Sequence, residues 1–312
     1  MLGLLKYSKE YSGVLQCWIP DTTDKAEANN TGFVKRRNFI FSSDPVGTFV
    51  FALDLEHILG FAEDYDKVIM GFQHSLQFSR SSDDSNAIFR DEHVAVGKVE
   101  LKNITWWMPI IRPAELESNR LTNIIYDKAS LEVWFRMRQC AMISLPLVSS
   151  YTWNLGVRTG SEKPRYIIVG LQTSKKDDQQ TNPAIFNHVN VQNMKVRLNS
   201  TEYPTVQTNS NFTKNDFAYF FMRMVHFNQY FYGVDRMLTS TVIDGQTYKD
   251  LFPIFVFDVS KQNENLVGGV VDISVIMNFS ANVAANTQAF ALVISDRKLK
   301  FQSNGQRMNV VF

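Results

Sequence analysis

Apolar and polar residues alternate along three well-separated segments of this chain. In residues 94–104, valine and leucine side chains are separated by charged lysine and glutamate. Residues 131–138 repeat the alternation with glutamate and arginine as the polar members, and residues 271–279 repeat it with aspartate, serine and asparagine. A period of two places successive side chains on opposite faces of a β-strand. Each segment therefore predicts a half-buried strand with one solvent-exposed face.

Three further segments are continuously apolar or aromatic. Residues 47–53 are rich in aromatic and β-branched side chains, and residues 166–171 and 290–294 are short apolar runs. Runs of this length are typical of strands buried in the core of a sandwich. Polar loops at 79–86 and 174–182 separate the strand segments. Many strands and few helices predict an all-β sandwich or barrel architecture.

One long helix interrupts this pattern. Thr213 and Asp216 have the spacing of a capping box, with Asp in place of the usual Glu, and Gly233 stands where a C-cap belongs. The spacing predicts a helix near residues 215–232. Its aromatic face either covers the sandwich core or lines a cofactor pocket, and we adopt the first interpretation. The apolar positions are Phe217, Phe220, Phe221, Met224, Phe227 and Phe231.

Short sequence likenesses recur between the two halves of the chain. Residues 68–73 resemble 167–172, whereas a second correspondence links 166–171 to 290–295. Both use the same strand, so at least one of them is accidental likeness between strands. The second gives halves of similar size that meet in the polar stretch 175–181, and we use it to set the domain boundary.

The predicted division follows from that boundary. Residues 1–45 are expected to form an N-terminal arm and first strand, residues 46–176 a first sandwich, and residues 177–312 a second sandwich with a helical insertion near 215–232. The length of 312 residues, 35.8 kDa, suits two domains of roughly 150 residues each. A hydrophobic content of 45% fills substantial cores and excludes wholesale disorder.

The charge balance argues against nucleic-acid binding as the main role. The chain has 32 Lys and Arg against 31 Asp and Glu, a formal net charge of +1. Proteins that grip nucleic acid usually carry a clear basic excess, so we predict no specific nucleic-acid recognition. The compact basic cluster Lys35-Arg36-Arg37 is expected to lie in a solvated loop.

The two cysteines and the apolar runs bear on the compartment. Cys17 and Cys140 each lie in an apolar, strand-like stretch, and two reduced core thiols are favoured over a disulfide between them. This favours a reducing compartment. The N-terminal residues lack the apolar length of a signal peptide, and no run approaches the ~20 apolar residues that cross a bilayer. We therefore expect no transmembrane segment.

Sequence motifs of catalysis are absent. The five histidines are scattered without metal-ligand spacing, and neither nucleophile elbows nor phosphate-binding glycine loops occur. The acidic pairs Asp83-Asp84, Asp177-Asp178 and Glu63-Asp64 are expected to be solvated surface rather than acid–base groups. Trp106-Trp107 and Trp134-Phe135-Arg136 are candidate stacking platforms for single-stranded nucleic acid, although strand alternation places half of each in a core. We assign no catalytic, cofactor-binding or metal residues and expect no cofactor and no enzyme activity.

Several segments resemble a known family. They are residues 54–68 with 74–80, residues 163–173 with 196–204, and residues 255–262 followed by 270–279 and 293–297. Together they resemble double jelly-roll major capsid proteins of the Polinton, adintovirus and virophage group, related to the PRD1 and adenovirus lineage and found in invertebrate viruses and virus-derived elements. The likeness spans about residues 35–312. Such proteins are usually considerably longer, with large loops that form a tower.

The resemblance implies both a fold and a role. The fold is all-β, with two tandem jelly-roll β-sandwiches and short helical insertions. The role is structural: a homotrimer of pseudo-hexameric outline that self-assembles with neighbouring capsomers into an icosahedral shell, with penton and minor capsid proteins as further partners. The protein would be part of the virion and would be assembled in the nucleus or cytoplasm of the host cell. The segment before Ser42 would then be an arm that reaches a neighbour or the inner shell, or else a mobile loop.

Two other functions stay open at this stage. A jelly-roll module that binds carbohydrate or another ligand would be monomeric and would expose aromatic side chains at one loop end. A cupin-like enzyme would need inward-facing His and Glu ligands on neighbouring strands. His74 and His93, which flank a predicted loop, are the candidate metal ligands for that alternative.

Overall fold

One antiparallel β-sandwich forms the body of the structure. The computed structural model describes residues 1–6, 19–42, 46–70, 72, 74–128, 130–157, 163–233, 243–262, 270–305 and 307–311. The strands of these residues are β1 (Ser130–Ser144), β2 (Ser150–Leu155), β3 (Pro164–Thr173), β4 (Val191–Leu198), β5 (Thr201–Tyr203), β6 (Ile254–Asp258), β7 (Ile273–Phe279), β8 (Thr287–Ser303) and β9 (Met308–Val311). The helices are α1 (Leu2–Lys6), α2 (Thr31–Ile40), α3 (Gly60–Asp64), α4 (Glu115–Tyr126), α5 (Ala218–Tyr232) and α6 (Gly245–Asp250). Short 3₁₀ turns span Leu55–His57 and Phe212–Lys214.

The strands form two sheets with jelly-roll connectivity. The first sheet has the order β1-β8-β3-β6, with β9 beside the end of β8, and the second has the order β2-β7-β4-β5. From β1 to β8 the chain changes sheet at each step except between β4 and β5, and the first and last long strands, β1 and β8, pair with each other. This is the arrangement of one complete jelly roll.

Strand β8 organises the first sheet. It pairs with β1 from Ser130↔Gln302 to Ser144↔Gln288, and with β3 on its other side up to Ser295. Beyond that point β9 takes the edge that β3 has left. The predicted strands at 131–138, 166–171, 271–279 and 290–294 are all confirmed by these ladders.

The core lies between the sheets and under helix α5. Almost every residue of β3 is buried, because one face meets the second sheet and the other lies under the helix. The Phe220 ring of α5 packs edge-on against Phe255 of β6 at a centroid distance of 4.9 Å. Leu4 and Leu5 of α1 complete this cluster. The helical insertion predicted near 215–232 is therefore confirmed as a core-facing helix.

The predicted start of α5 is wrong in its details. Thr213 and Asp216 form no capping box, since the N-cap residue is Phe217 and it makes no side-chain cap hydrogen bond. The local cap belongs to the preceding 3₁₀ turn, where the Asn211 side chain accepts from the Lys214 N–H. Gly233 ends the helix with a φ of 68°, as predicted for a left-handed C-cap.

The strands predicted at 47–53 and 94–104 are not present in the structure. No strand occurs among the residues described before Ser130, and residues 94–104 are largely exposed. Alternation indicates which side chains suit a half-buried surface, but a strand also needs a hydrogen-bonded neighbour. Neither segment takes part in a ladder of the described sheets.

The sandwich extends across the position predicted as a domain boundary. Residues 176 and 177 lie between β3 and β4, and strands from both sides of them share both sheets: β1 and β3 pair with β8, and β2 pairs with β7. All strands of the described sandwich lie within residues 130–311. The two-domain division stays a prediction, and its boundary is considered again below.

Candidate functional site

A helix is held against the outer surface of β1 by charge and close packing. Gly60, the first residue of α3, lies so close to the main-chain oxygen of Arg136 that a Cβ atom would overlap it. Asp64, the last residue of α3, accepts from the Arg136 N–H at 2.7 Å and from the Arg136 Nε at 3.0 Å. Burial alone would raise the pKa of Asp64, but the hydrogen bonds and charge of Arg136 outweigh it and lower that pKa. The close approach at Gly60 and the hydrogen bonds of Asp64 together fix the position of α3 on β1.

A second ion pair lies in the same contact, which we call the α3–β1 joint and define as Gly60, Glu63 and Asp64 of α3 against Arg136 and Arg138 of β1. Glu63 pairs with Arg138, and both side chains are about nine-tenths buried. Lys6 of α1 also reaches Glu63, with its Nζ 3.0 Å from Oε1. The prediction that Glu63-Asp64 is solvated surface is therefore wrong. These carboxylates neutralise the arginines that break the apolar series of β1, because α3 covers the face that the alternation left polar.

The other two acidic pairs behave more nearly as expected. Asp177 is exposed and has a φ of 57° in a turn. Asp83 caps its own loop by accepting from the Ser85 N–H at 2.9 Å. Asp84 is more engaged, since it accepts from the Val99 N–H at 3.0 Å.

The loop between β3 and β4 is the point where earlier residues attach to the sandwich. The Gln179 side chain makes two hydrogen bonds with Gly97, accepting from its N–H and donating to its carbonyl, both at 2.9 Å. The main-chain carbonyl of Gln179 accepts from the Arg90 N–H at 2.8 Å. We call residues 174–182 the anchor loop. Its composition predicts a polar loop, and in the structure it connects the earlier residues to the sandwich.

The anchor loop also binds the segment before α2. Asp21 accepts from the Asn182 Nδ2 at 2.7 Å and pairs with Arg36 at 2.6 Å. Lys175 donates to the main-chain oxygen of Asn182 at 3.2 Å. The prediction of a loop at Lys35-Arg36-Arg37 is wrong, because these residues lie within α2, which the Asn30 side chain caps, whereas the exposure of Lys35 and Arg37 is as predicted.

Large apolar side chains are exposed in the segment that precedes α4. Trp107 is 87% exposed and Ile110 is 84% exposed, and Trp106 and Ile111 are exposed as well. The prediction that half of the Trp106-Trp107 pair lies in a core is therefore wrong. Apolar patches of this kind are common where one protein meets another.

The second aromatic candidate, at residues 134–136, is divided between solvent and the α3–β1 joint. Trp134 is 61% exposed on β1 and carries Lys298 5.2 Å from its ring centroid. Phe135 packs edge-on against Phe61. Arg136 is occupied by Asp64. This arrangement leaves one aromatic ring, not an interleaved platform, at the surface.

A cleft of about 400 Å³ lies at one loop end of the sandwich. His188 lines it and stacks on Phe212 at a centroid distance of 4.6 Å, nearly parallel. Burial, with a smaller contribution from Lys249, lowers the pKa of His188, and its Nδ1 accepts from the Asn190 N–H at 2.9 Å. Val189 has a φ of 47°, a conformation that β-branched residues rarely adopt. The cleft is polar and open, with the size of a small-ligand site.

The histidines proposed as metal ligands are not brought together. His74 and His93 are exposed, and the described strands contain no histidine. In the described part of the chain, the group with metal-compatible spacing is Asp54, Glu56 and His57, whose ligand atoms lie within 4.8 Å of one another. Lys6 already places its ammonium 3.3 Å from Glu56. The structure therefore gives no support to a metal site inside the sandwich.

The predicted core position of Cys140 is also wrong. Cys140 is a free thiol at an exposed position on β1, and Cys17 lies outside the described residues. Among the described helices, none combines the length and the apolar character that crossing a bilayer requires.

The anchor loop and the α3–β1 joint are the features that sequence reasoning missed. Their residues carry no local signature, since a buried lysine and a solvated lysine look alike in sequence. The available signal was the regular placement of Arg136 and Arg138 on a strand, which requires an acidic partner if that face is covered.

Comparisons with known proteins give a family but no close relative. A search of curated proteins returned no match. Similar solved structures include the PBCV-1 virus capsid, at 10% identity and a TM-score of 0.35, covering 64% of this chain and 54% of that one. The Sputnik virophage structure has 11% identity, a TM-score of 0.30 and coverages of 59% and 39%. The mavirus major capsid protein has 10% identity, a TM-score of 0.32 and coverages of 58% and 41%.

This chain covers only about half or less of the length of those capsid chains, and sequence identities and TM-scores this low carry no further argument. The match to a family model, by contrast, spans most of this chain. The model of the family described as "Double jelly roll-like domain" matches residues 15–299. Its all-β character agrees with the two antiparallel sheets and few short helices of the structure. The chain therefore belongs to the double jelly roll-like domain family.

Proposed function

We propose that this chain is a major capsid protein, a structural virion component that assembles as pseudo-hexameric trimers into an icosahedral shell. The family match over residues 15–299 is the observation that carries the proposal. Two jelly rolls in one chain allow three chains to fill a six-cornered position in a shell. A formal net charge of +1 suits a protein that packs against copies of itself.

The exposed apolar side chains support self-association. Val96, Ile104, Trp107 and Ile110 are each between 70% and 87% exposed. A large aromatic side chain alone buries about 150–250 Å² in an interface, and a standard interface takes about 800 Å² from each partner. A few such residues therefore supply a large share of one subunit contact.

We also propose a different domain division from the one the internal likeness gives. The sandwich described here is a complete jelly roll over residues 130–311, so we place the start of the second jelly roll near Ser130. The family is a double jelly roll, and its match begins at residue 15. The first jelly roll of the family would then correspond to the residues before Ser130, which have no strand where the structure describes them.

Limited proteolysis of the whole chain tests this division. A boundary near Ser130 predicts an early tryptic cut at Lys128, with a stable fragment that begins just after it. A boundary at 176/177 predicts instead that the first cut falls at Lys176 in the anchor loop. Mass spectrometry of the first fragments decides between the two.

The oligomeric state tests the proposed function. Light scattering on purified protein, with negative-stain microscopy, is expected to give a mass three times 35.8 kDa or closed particles. Trp107→Ser is expected to weaken the association, whereas Trp134→Ser, another exposed tryptophan, serves as the matched control. A monomer that persists across salt and pH would contradict the proposal.

A ligand-binding module is the second candidate, favoured by the cleft beside His188. It would take a small polar ligand such as a glycan, since the cleft offers amide, hydroxyl and imidazole groups. The same preparation separates the two functions. A monomer that binds glycans in a screen, and loses binding with His188→Ala, would favour the module over the capsid protein.

A further inference from the structure

The two most deeply buried charged residues of the described structure, Asp21 and Lys175, both contact Asn182. Asp21 is 4% exposed and Lys175 is 7% exposed, and both contact Asn182, which is 2% exposed. Removing charges from water is costly, and a buried pair is weak evidence for a stabilising role. The cluster therefore calls for a chemical explanation.

Each polar atom of the Asn182 side chain has a defined neighbour. Its Nδ2 donates to Asp21 Oδ2 at 2.7 Å. Its Oδ1 accepts from the Ala184 N–H at 3.0 Å. The Lys175 amine donates to the main-chain oxygen of the same residue at 3.2 Å. A carboxylate and a hydrogen-bond donor thus contact the carboxamide of Asn182, and the amine of Lys175 contacts the main-chain oxygen of the same residue.

The surroundings of Lys175 favour the uncharged form of its amine. Burial lowers the pKa of Lys175 to about 8, while the carboxylates of Asp24 and Asp21 oppose that shift. An appreciable fraction of the amine is therefore uncharged near neutral pH, and only the uncharged amine is nucleophilic. Arg36 holds Asp21 by its other oxygen, Oδ1, at 2.6 Å, which leaves Oδ2 for Asn182.

We infer that Lys175 and Asn182 join in an intramolecular isopeptide bond within the anchor loop. The amine nitrogen of Lys175 attacks the side-chain carbonyl carbon of Asn182, and a C–N bond forms as the carbonyl oxygen becomes an oxyanion. The bond from that carbon to Nδ2 then breaks, and Nδ2 leaves as ammonia. The reaction exchanges one amide for another, so no oxidant, reductant or metal takes part.

The neighbouring groups have distinct roles in this step. The Ala184 N–H stabilises the oxyanion, since it already points at Oδ1. The Asp21 carboxylate takes a proton from the attacking nitrogen and gives it to the departing Nδ2, which it already contacts. To react, the amine moves from the main-chain oxygen to within about 3–3.5 Å of the carbonyl carbon of the same residue.

The bond would fix the shape of the anchor loop. Ser174 and Asp177 in that loop have positive φ values of 54° and 57°. Gln179, which holds Gly97, lies between the two joined residues. An isopeptide bond across this loop would therefore hold Gln179 in position and, through it, the contact with Gly97.

Intact-mass spectrometry of the full chain is the direct test. The bond predicts a mass lower than the sequence mass by one ammonia, about 17 Da, and tryptic peptides in which cleavage after Lys175 is blocked. Cyclisation of Asn182 with the next main-chain nitrogen loses the same mass, but Pro183 follows it and has no N–H for that reaction. Trypsin still cuts after Lys176, so fragment spectra must place the loss on a branched product in which the peptide that ends at Lys176 is joined through Lys175 to the peptide that contains Asn182.

Variants separate the chemistry from folding. Lys175→Met and Asp21→Asn are expected to keep the full sequence mass, whereas Lys176→Met, a change at the exposed neighbouring lysine, keeps the loss of ammonia. Folding of each variant is followed by circular dichroism. An unmodified wild-type mass with normal trypsin cleavage after Lys175 would overturn the inference, whatever the variants do.

Discussion

The α3–β1 joint gives the most specific prediction, because one methyl group added at Gly60 is expected to lower its stability. Gly60→Ala adds a Cβ that would overlap the main-chain oxygen of Arg136. Gly60 has no left-handed φ, so the backbone itself accepts alanine. In a free helix this change would be favourable by about 0.5–1 kcal/mol. A measured loss of stability would therefore mean that the clash outweighs the gain in helix propensity, so the sign of the change in free energy tests the contact.

The magnitude follows from the contacts that α3 must give up when it moves. A shift of about an ångström or more breaks the hydrogen bonds from Arg136 to Asp64 and strains the Glu63–Arg138 pair. Hydrogen bonds to charged groups contribute about 1.5–3 kcal/mol each. We reduce this for Arg136, whose side chain is about a third exposed, because solvent screens the pair. With the helix gain subtracted, the expected net loss is about 2–3 kcal/mol in local stability.

Hydrogen exchange measures that loss where it occurs. Amides of residues 54–65 are expected to exchange roughly 30- to 150-fold faster in Gly60→Ala, since about 1.4 kcal/mol corresponds to a factor of ten. Gly245→Ala is the matched control, because Gly245 also begins a short helix and a Cβ there meets nothing within 4 Å. It is expected to be neutral or stabilising by up to about 1 kcal/mol. Equal exchange in the two variants would refute the reasoning about the joint.

Three other outcomes follow from single contacts. Asp64 has a lowered pKa in the fold, so its contribution is present above the unfolded pKa of about 3.9 and is lost as pH falls through the folded value; Asp64→Asn should remove that acid dependence from a urea titration. Gln179→Ala removes both hydrogen bonds to Gly97 and should speed exchange at 84–99 about tenfold, and unchanged exchange there would contradict the anchor-loop assignment. Tyr248→Phe deletes the buried hydroxyl that donates to Ile254 at 3.1 Å and should cost about 1 kcal/mol by thermal melting, whereas no change would mean that water replaces the hydroxyl.

The second half of the fold could be predicted from sequence because its patterns meet partners. Strands at 131–138, 166–171, 271–279 and 290–294 were recognisable from period and composition, and each finds a neighbour in a sheet. The helix near 215–232 was recognisable from its aromatic spacing. These are cases in which the local pattern and the long-range packing agree.

The failures share one cause, which is that period does not identify a partner. Residues 94–104 alternate between apolar and charged side chains, but they are not paired in the structure. The likeness between 166–171 and 290–295 arises because β3 and β8 are adjacent buried strands of one sheet. Similar environments select similar residues, which accounts for this likeness, and the domain boundary that was set from it stays a prediction.

The candidate site was less accessible still. The polar face of β1 reads as solvent-exposed, and only the fold reveals that α3 covers it. Lys175 and Asn182 lie in a stretch whose composition predicts a solvated loop. Their burial depends on Asp21, which is distant in sequence, and no local sequence pattern predicts a contact over that separation.

The pairing of β1 with β8 sets an order of events during synthesis. Ser130 pairs with Gln302 and Ser144 with Gln288, so β1 leaves the ribosome long before its neighbour exists. At a translation rate of about 5–20 residues per second, β1 would wait roughly ten to thirty seconds with both edges unpaired, since β8 is its only partner strand in the described sheets. Chaperones therefore have time to bind those edges, and the jelly roll closes only after β8 has been made. A nascent chain that has not reached Ser303 therefore has no closed sandwich to offer to a partner.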